Sequence, residues 1–176
     1  VNGKIDRLEQ ALADFNHDGT TGIGHTRWAT HGPPSRENAH PHFSEDQKIM
    51  LVHNGIIENH DELRNKLTSD PEFTSETDTE VLVHMLSERY DGNLTETLRE
   101  CLKEVEGSYA VVAMHQDEPG TLVAARAGSP LIIGQGQEAM YAASDLPAIL
   151  DYTREVVFLD DDEIATITAD GFDVQT

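Results

Sequence analysis

Helical and strand-like periodicities are segregated along this chain, and that segregation restricts its architecture more than any other feature. Ile5, Leu8, Leu12 and Phe15 recur at helical spacing, predicting an amphipathic helix over the first fifteen residues that ends at His17-Asp18-Gly19. Helices are also expected over 61–67, 77–90 and 94–105. Thr77 would cap the third, with Glu80 in the capping-box position and Val81, Met85 and Leu86 on the buried face; Gly107 would end the fourth. From Tyr109 onward the reading is strands, at 109–114, 121–126, 131–134, 139–143, 155–159 and 163–168, interrupted by a short helix after Ser144-Asp145. Early helices followed by late strands favour α+β layering over alternating βαβ units. Two short strands are expected earlier, at 22–28 and at 49–52, the second broken by the Asn54-Gly55 turn signal. Between them, 29–42 carries three prolines and reads as a long loop. No linker or repeat divides the 176 residues, so one domain, 1–176, is expected.

Charge and cysteine usage narrow the function. Thirty-three acidic residues against 12 basic ones give a formal charge of −21, which repels nucleic-acid phosphates and anionic lipid. Neither nucleic acid nor membrane is an expected partner. No apolar run approaches the roughly 18 residues needed to cross a bilayer, and Val1-Asn2-Gly3-Lys4 does not read as a signal peptide. The single cysteine, Cys101, permits no internal disulfide and suits a reducing compartment, so the cytoplasm is the expected location. Nine histidines raise a metal site, but no Cys joins them and no His-Glu-x-x-His helix exists; no metal is expected. Glycine-rich phosphate loops in a strand–helix context are absent too.

Three polar segments sit where strands are expected to end. In His25-Thr26-Arg27-Trp28-Ala29-Thr30-His31-Gly32, Arg27 offers a planar fork that can grip a carboxylate through two parallel hydrogen bonds. It can equally pair with one of many acidic neighbours. In His53-Asn54-Gly55-Ile56-Ile57-Glu58-Asn59, a side-chain amide and a backbone N–H can point to one place, as a tetrahedral oxyanion requires. The same dipeptide also makes an ordinary turn. In Ser75-Glu76-Thr77-Asp78-Thr79-Glu80, Asp78 can accept hydrogen bonds from an ammonium group, or simply cap a helix.

Together these segments supply a carboxylate grip, an oxyanion hole and an ammonium acceptor, the groups needed to hold an α-amino acid whose side-chain amide is cleaved. With Glu37-Asn38-Ala39-His40-Pro41-His42, Ala125-Arg126-Ala127-Gly128-Ser129-Pro130-Leu131 and Ala143-Ser144-Asp145, they resemble, in order and over nearly the whole chain, the glutaminase domain of the glutamine–fructose-6-phosphate aminotransferase family. The purine and asparagine amidotransferases share the fold but depart from this wording. The resemblance implies an N-terminal-nucleophile hydrolase, an αββα sandwich here expected to lack its first strands. It implies that Arg27 binds the glutamine carboxylate and Asp78 its amino group, and that Asn54 and Gly55 form the oxyanion hole. Trp28, Thr30 and His31 would belong to a glutamine lid, while His40, His42 and His53 would give structural support. L-glutamine and L-glutamate are the implied ligands. A sugar isomerase domain accepting ammonia onto fructose 6-phosphate is the implied partner, within a homo-oligomeric full-length enzyme.

The chain departs from the family pattern in one chemical respect. The family's nucleophile is an N-terminal cysteine whose α-amine serves as base, and neither it nor the Tyr-Arg-Gly-Tyr-Asp-Ser-like segment near it is present. Cys101, mid-helix in Leu98-Arg99-Glu100-Cys101-Leu102, reads as a buried structural thiol. The thiol route implies no cofactor. The isolated chain is therefore expected to bind glutamine weakly and to hydrolyse none. The competing expectation is a non-catalytic interaction fragment with an open sheet edge.

Overall fold

A computed structural model describes residues 5–13, 18–27 and 31–176. Its centre is an antiparallel sheet in the order β1-β2-β3-β4-β8-β9. The strands are β1 (His42–Phe43), β2 (Ile49–Ile57), β3 (Gly107–His115), β4 (Leu122–Ala127), β8 (Ile164–Thr168) and β9 (Gly171–Gln175). A second sheet, ordered β6-β5-β7, uses β5 (Ile132–Gln135), β6 (Met140–Ala143) and β7 (Val156–Phe158).

Strict alternation along the central strands feeds two cores. Leu51, Val111, Ala113, Val123 and Ala125 point to one face and pack against α2 (His60–Lys66), α3 (Glu80–Arg89) and α4 (Leu94–Leu102). Val52, Ala110, Val112, Ala124 and Ala165 point to the other and meet Leu131, Ile133 and Leu159 around the smaller sheet. Beyond that sheet lies the 3-10 turn Leu146–Ala148, followed by the buried Ile149. The layering is helices, sheet, sheet and a thin cover, an α+β sandwich of the expected kind. Arg99 and the 94–102 helix close the β9 end, where Arg99 donates to Gln175 and Thr176.

Several sequence expectations change here. The strand of 49–52 does not stop at Asn54-Gly55: β2 continues to Ile57, paired with β3 from Ile49↔His115 to Ile57↔Gly107. The dipeptide is a ladder position rather than a turn because a full-length partner strand lies alongside it. Residues 22–27 form no strand; two glycines weaken the segment, and it is held by Ile23 packing on the inter-sheet core and by His25. The first helix, α1 (Ile5–Ala13), forms, but its apolar stripe is exposed, with Ile5, Leu8 and Leu12 all open to solvent. Phe15 and His17 lie outside the described residues.

The third helix starts at Glu80, not at Thr77, whose hydroxyl bonds His42 and Ser75 instead of capping the helix. Its burial also exceeds one face, since all of 80–86 is buried. The fourth helix ends at Leu102, where the amides of Glu104 and Val105 close turns onto Cys101 and Leu102. Strand β9 has no counterpart in the sequence reading: five residues beginning at a glycine, with one neighbour, leave little signal.

Candidate active site

The second half of β2, the approach to α3 and the segments 25–27 and 31–40 enclose a cavity of about 330 Å³. Arg27, His31, Asn54, Gly55 and Asp78 line it, together with His25, His40 and His53. The residues expected to converge do converge. Trp28 and Thr30 lie outside the described residues.

Gly55 owes its identity to close backbone approach. Its φ is +136°, and a Cβ there would lie 2.0 Å from the Ser108 carbonyl oxygen. Only glycine lets β2 bring the Asn54-Gly55 peptide this close to β3. Arg27 directs its described hydrogen bonds to backbone carbonyls, those of Pro33 at 3.0 Å, Gly32 at 3.3 Å and His31. Carbonyls orient a guanidinium without neutralising it, so positive charge remains beside the cavity. Asp78 is 5% exposed, and its Oδ2 accepts the Ile57 N–H at 2.7 Å. Its Oδ1 lies 3.6 Å from His31 Nδ1. A cation, an anion and an amide around one small hollow suit a zwitterion carrying a polar side chain.

The walls are tied by Asn38, to which sequence reasoning gave no role, and by the histidines at 40, 42 and 53, expected to give structural support. Asn38, 2% exposed, donates to Pro33 O at 3.0 Å and accepts the Glu76 N–H at 2.9 Å. It thus joins the loop gripped by Arg27 to the loop carrying Asp78. Gly32 makes room for it: its φ is +69°, and a Cβ would sit 2.5 Å from Asn38 Nδ2. His42 Nε2 and His53 Nδ1 each lie 2.9 Å from a threonine hydroxyl, Thr77 and Thr79, on either side of Asp78. His25 stacks on His40 with ring centroids 4.3 Å apart, and His40 meets His42 edge-on at 4.7 Å.

Burial holds these imidazoles uncharged. It pushes His40 down to about 2, helped by neighbouring His25, His42, His53 and Arg27, and takes His42 to about 4 despite Glu80 and Asp78. Burial lowers His53 as well, against the pull of Asp78, and lowers His25 against the Asn54 oxygen and the His53 carbonyl, which favour a proton.

Glu80, expected as a capping-box residue, is instead the anchor of the loop leading to Asp78. Its carboxylate accepts from the backbone and hydroxyl of Thr74 at 2.7 and 2.9 Å and of Ser75 at 2.7 and 2.6 Å. Burial alone would raise its pKa, but His84 and these donors outweigh it and hold the carboxyl at about 2. A carboxyl depressed below its unfolded value stabilises the fold above that unfolded value, and the stabilisation is lost as pH falls through the folded one. Glu80→Gln is therefore expected to cost about 2 kcal/mol at pH 7. It should also flatten the fall in stability between about pH 4.5 and 2. Urea titrations across that range would read it; parallel wild-type and variant curves would contradict it.

Cys101 lies in the helix-side core, fully buried, and burial pushes its thiol up to about 12. It does not line the cavity. A thiol so disfavoured as thiolate is no nucleophile.

A family model described as "Glutamine amidotransferase domain" matches residues 25–151, and the chain belongs to that family. Among individual proteins it is similar to a glutamine–fructose-6-phosphate aminotransferase [isomerizing] of Thermus thermophilus, 51% identical over 98% of this chain and 29% of that protein. The enzyme of the same name from Aquifex aeolicus is 46% identical over 98% and 29%. The chain thus spans less than a third of the length of these curated relatives. Among solved structures, the glutamine phosphoribosylpyrophosphate amidotransferase of B. subtilis, complexed with ADP and GMP, superimposes with a TM-score of 0.71 at 25% identity. That match covers 86% of this chain and 33% of the other. An allosteric regulatory enzyme of purine biosynthesis gives 0.72 at 26% identity over 86% and 34%. Among the described residues no helix is long and apolar enough to cross a membrane.

Proposed function

We propose that these 176 residues are the glutamine-binding part of a glutaminase that supplies ammonia for glucosamine 6-phosphate synthesis. The observation that carries the reading is the convergence of Arg27, Asn54, Gly55 and Asp78 on one cavity of amino-acid size. Arg27 takes the α-carboxylate and Asp78 the α-ammonium, leaving the side-chain amide to project toward Asn54 and Gly55. There the Asn54 Nδ2 and the Gly55 N–H receive the oxyanion that forms when a thiolate attacks the amide carbon. Collapse of that intermediate releases ammonia, and water then frees glutamate from the thioester. His31 closes over the amino-acid end with the lid. Fructose 6-phosphate is the acceptor on a sugar isomerase domain, in a homo-oligomeric cytoplasmic enzyme; the similarity to the isomerizing aminotransferases supports this extension.

The 176-residue polypeptide itself contains one thiol, Cys101, which is buried and outside the cavity. Titrating it with L-glutamine and D-glutamine by heteronuclear NMR should give saturable shifts at Arg27, Asn54 and Asp78 with the L enantiomer alone, at millimolar affinity. No glutamate should accumulate. Equal response to both enantiomers, or none to either, would overturn the binding assignment; steady glutamate release would overturn the mechanism.

A further inference from the structure

Asn54 can present either end of its side-chain amide to the cavity, and the two ends have opposite effects. The NH2 group stabilises an oxyanion, whereas the carbonyl oxygen repels one. Which end faces inward is decided by the group at the other end. That group is His25, whose Nε2 lies 2.6 Å from Asn54 Oδ1.

A neutral imidazole carries its proton on one nitrogen only. With the proton on Nε2, His25 donates to Oδ1 and Asn54 turns its NH2 toward the cavity it lines. With the proton on Nδ1, Nε2 becomes an acceptor, the amide reverses, and oxygen faces the cavity. The surroundings choose between these states. His25 Nδ1 is buried without a hydrogen-bond partner among the described residues. An N–H on Nε2 has the Asn54 oxygen at 2.6 Å to receive it. An N–H on Nδ1 would meet no acceptor in hydrogen-bond geometry among the described residues, and folded proteins rarely keep such a buried donor. The His53 carbonyl favours a protonated ring without meeting that geometry. The stacked His40 ring fixes the plane of His25 without offering it a competing hydrogen bond.

We propose that His25 is a positioning residue for the oxyanion hole: by holding its proton on Nε2 it fixes the Asn54 amide with nitrogen toward the substrate. This rests on the glutaminase reading for its purpose, though not for its geometry. His25 touches no reacting atom and acts only through Asn54.

Two measurements separate the geometry from the purpose. In the uniformly ¹⁵N-labelled chain without ligand, long-range ¹H–¹⁵N spectra should show His25 with a pyrrole-type Nε2 and a pyridine-type Nδ1. The reverse pattern would overturn the proposal whatever the chain binds. The second compares L-glutamine with L-homocysteate, whose sulfonate places a tetrahedral anion where the oxyanion forms. His25→Phe should weaken homocysteate by about tenfold or more while leaving glutamine nearly unchanged, and His25→Gln, which keeps a donor near the Nε2 position, should recover most of the loss. Equal weakening of both ligands by H25F would mark a merely structural role and refute the assignment. If neither amino acid binds the wild-type chain, the glutaminase reading fails while the tautomer still decides the amide's orientation.

Discussion

Asp78→Asn should weaken L-glutamine binding by about 30-fold or more while leaving the fold intact. Asparagine keeps the shape of the side chain, and its Oδ1 can still accept the Ile57 N–H that Asp78 accepts at 2.7 Å. The negative charge is removed, and the second oxygen becomes an NH2 group that cannot accept from an ammonium. A hydrogen bond between a buried carboxylate and an ammonium contributes about 1.5–3 kcal/mol in all, and losing it converts to roughly 10- to 150-fold in affinity. Burial at 5% exposure keeps solvent from screening that charge. The check is a glutamine titration of both proteins alongside their far-ultraviolet dichroism and thermal midpoints. Unchanged affinity in a folded D78N protein would remove Asp78 from the amino-group site and, with it, the orientation proposed for glutamine.

The largest expected stability effect is at Gly55. Gly55→Ala places a methyl group 2.0 Å from the Ser108 carbonyl oxygen, and backbone cannot yield as a flexible side chain would. Strands β2 and β3 must separate locally, at the longest ladder among the described residues. The penalty should be about 3 kcal/mol or more, a lowering of the thermal midpoint by about 10 °C in a chain of this length. Gly92→Ala is the control. Gly92 also has a positive φ, +109°, yet its Cβ would meet nothing within 4 Å. It should cost about 1 kcal/mol, the backbone contribution alone. Calorimetry of the two variants gives the comparison, and similar midpoints for both would show that the Ser108 contact is not what demands glycine.

The sequence was legible where a residue's task follows from its own chemistry. Arg27, Asp78 and the Asn54-Gly55 pair announce charge, counter-charge and paired donors, and all four line one cavity. The later strands announced themselves as short apolar runs, and along β3 and β4 both faces are buried, alternate side chains entering the two cores. What escaped was whatever a distant partner decides. Asn54-Gly55 carries the local signal of a turn, and only the presence of β3 along its full length makes it a ladder position. Glu80 has the spacing of a capping box, but four donors from Thr74 and Ser75 recruit its carboxylate into the preceding loop. Asn38 sits in a motif that resembles the family, yet no pattern around it predicts that its amide spans to Glu76, 38 residues away. For α1, the apolar spacing reads correctly as a helix, but spacing does not say whether a neighbour covers the stripe.

Asn38 has a dynamic consequence. Because one side-chain amide is pinned between Pro33 and Glu76, the wall that carries Arg27's loop and the wall that carries Asp78 cannot breathe independently. An amino acid settling between them meets a single hinge and surrenders the entropy of one motion instead of two. Grip at its carboxylate end and grip at its ammonium end are thereby thermodynamically linked, although no residue of either wall need touch both ends of the ligand.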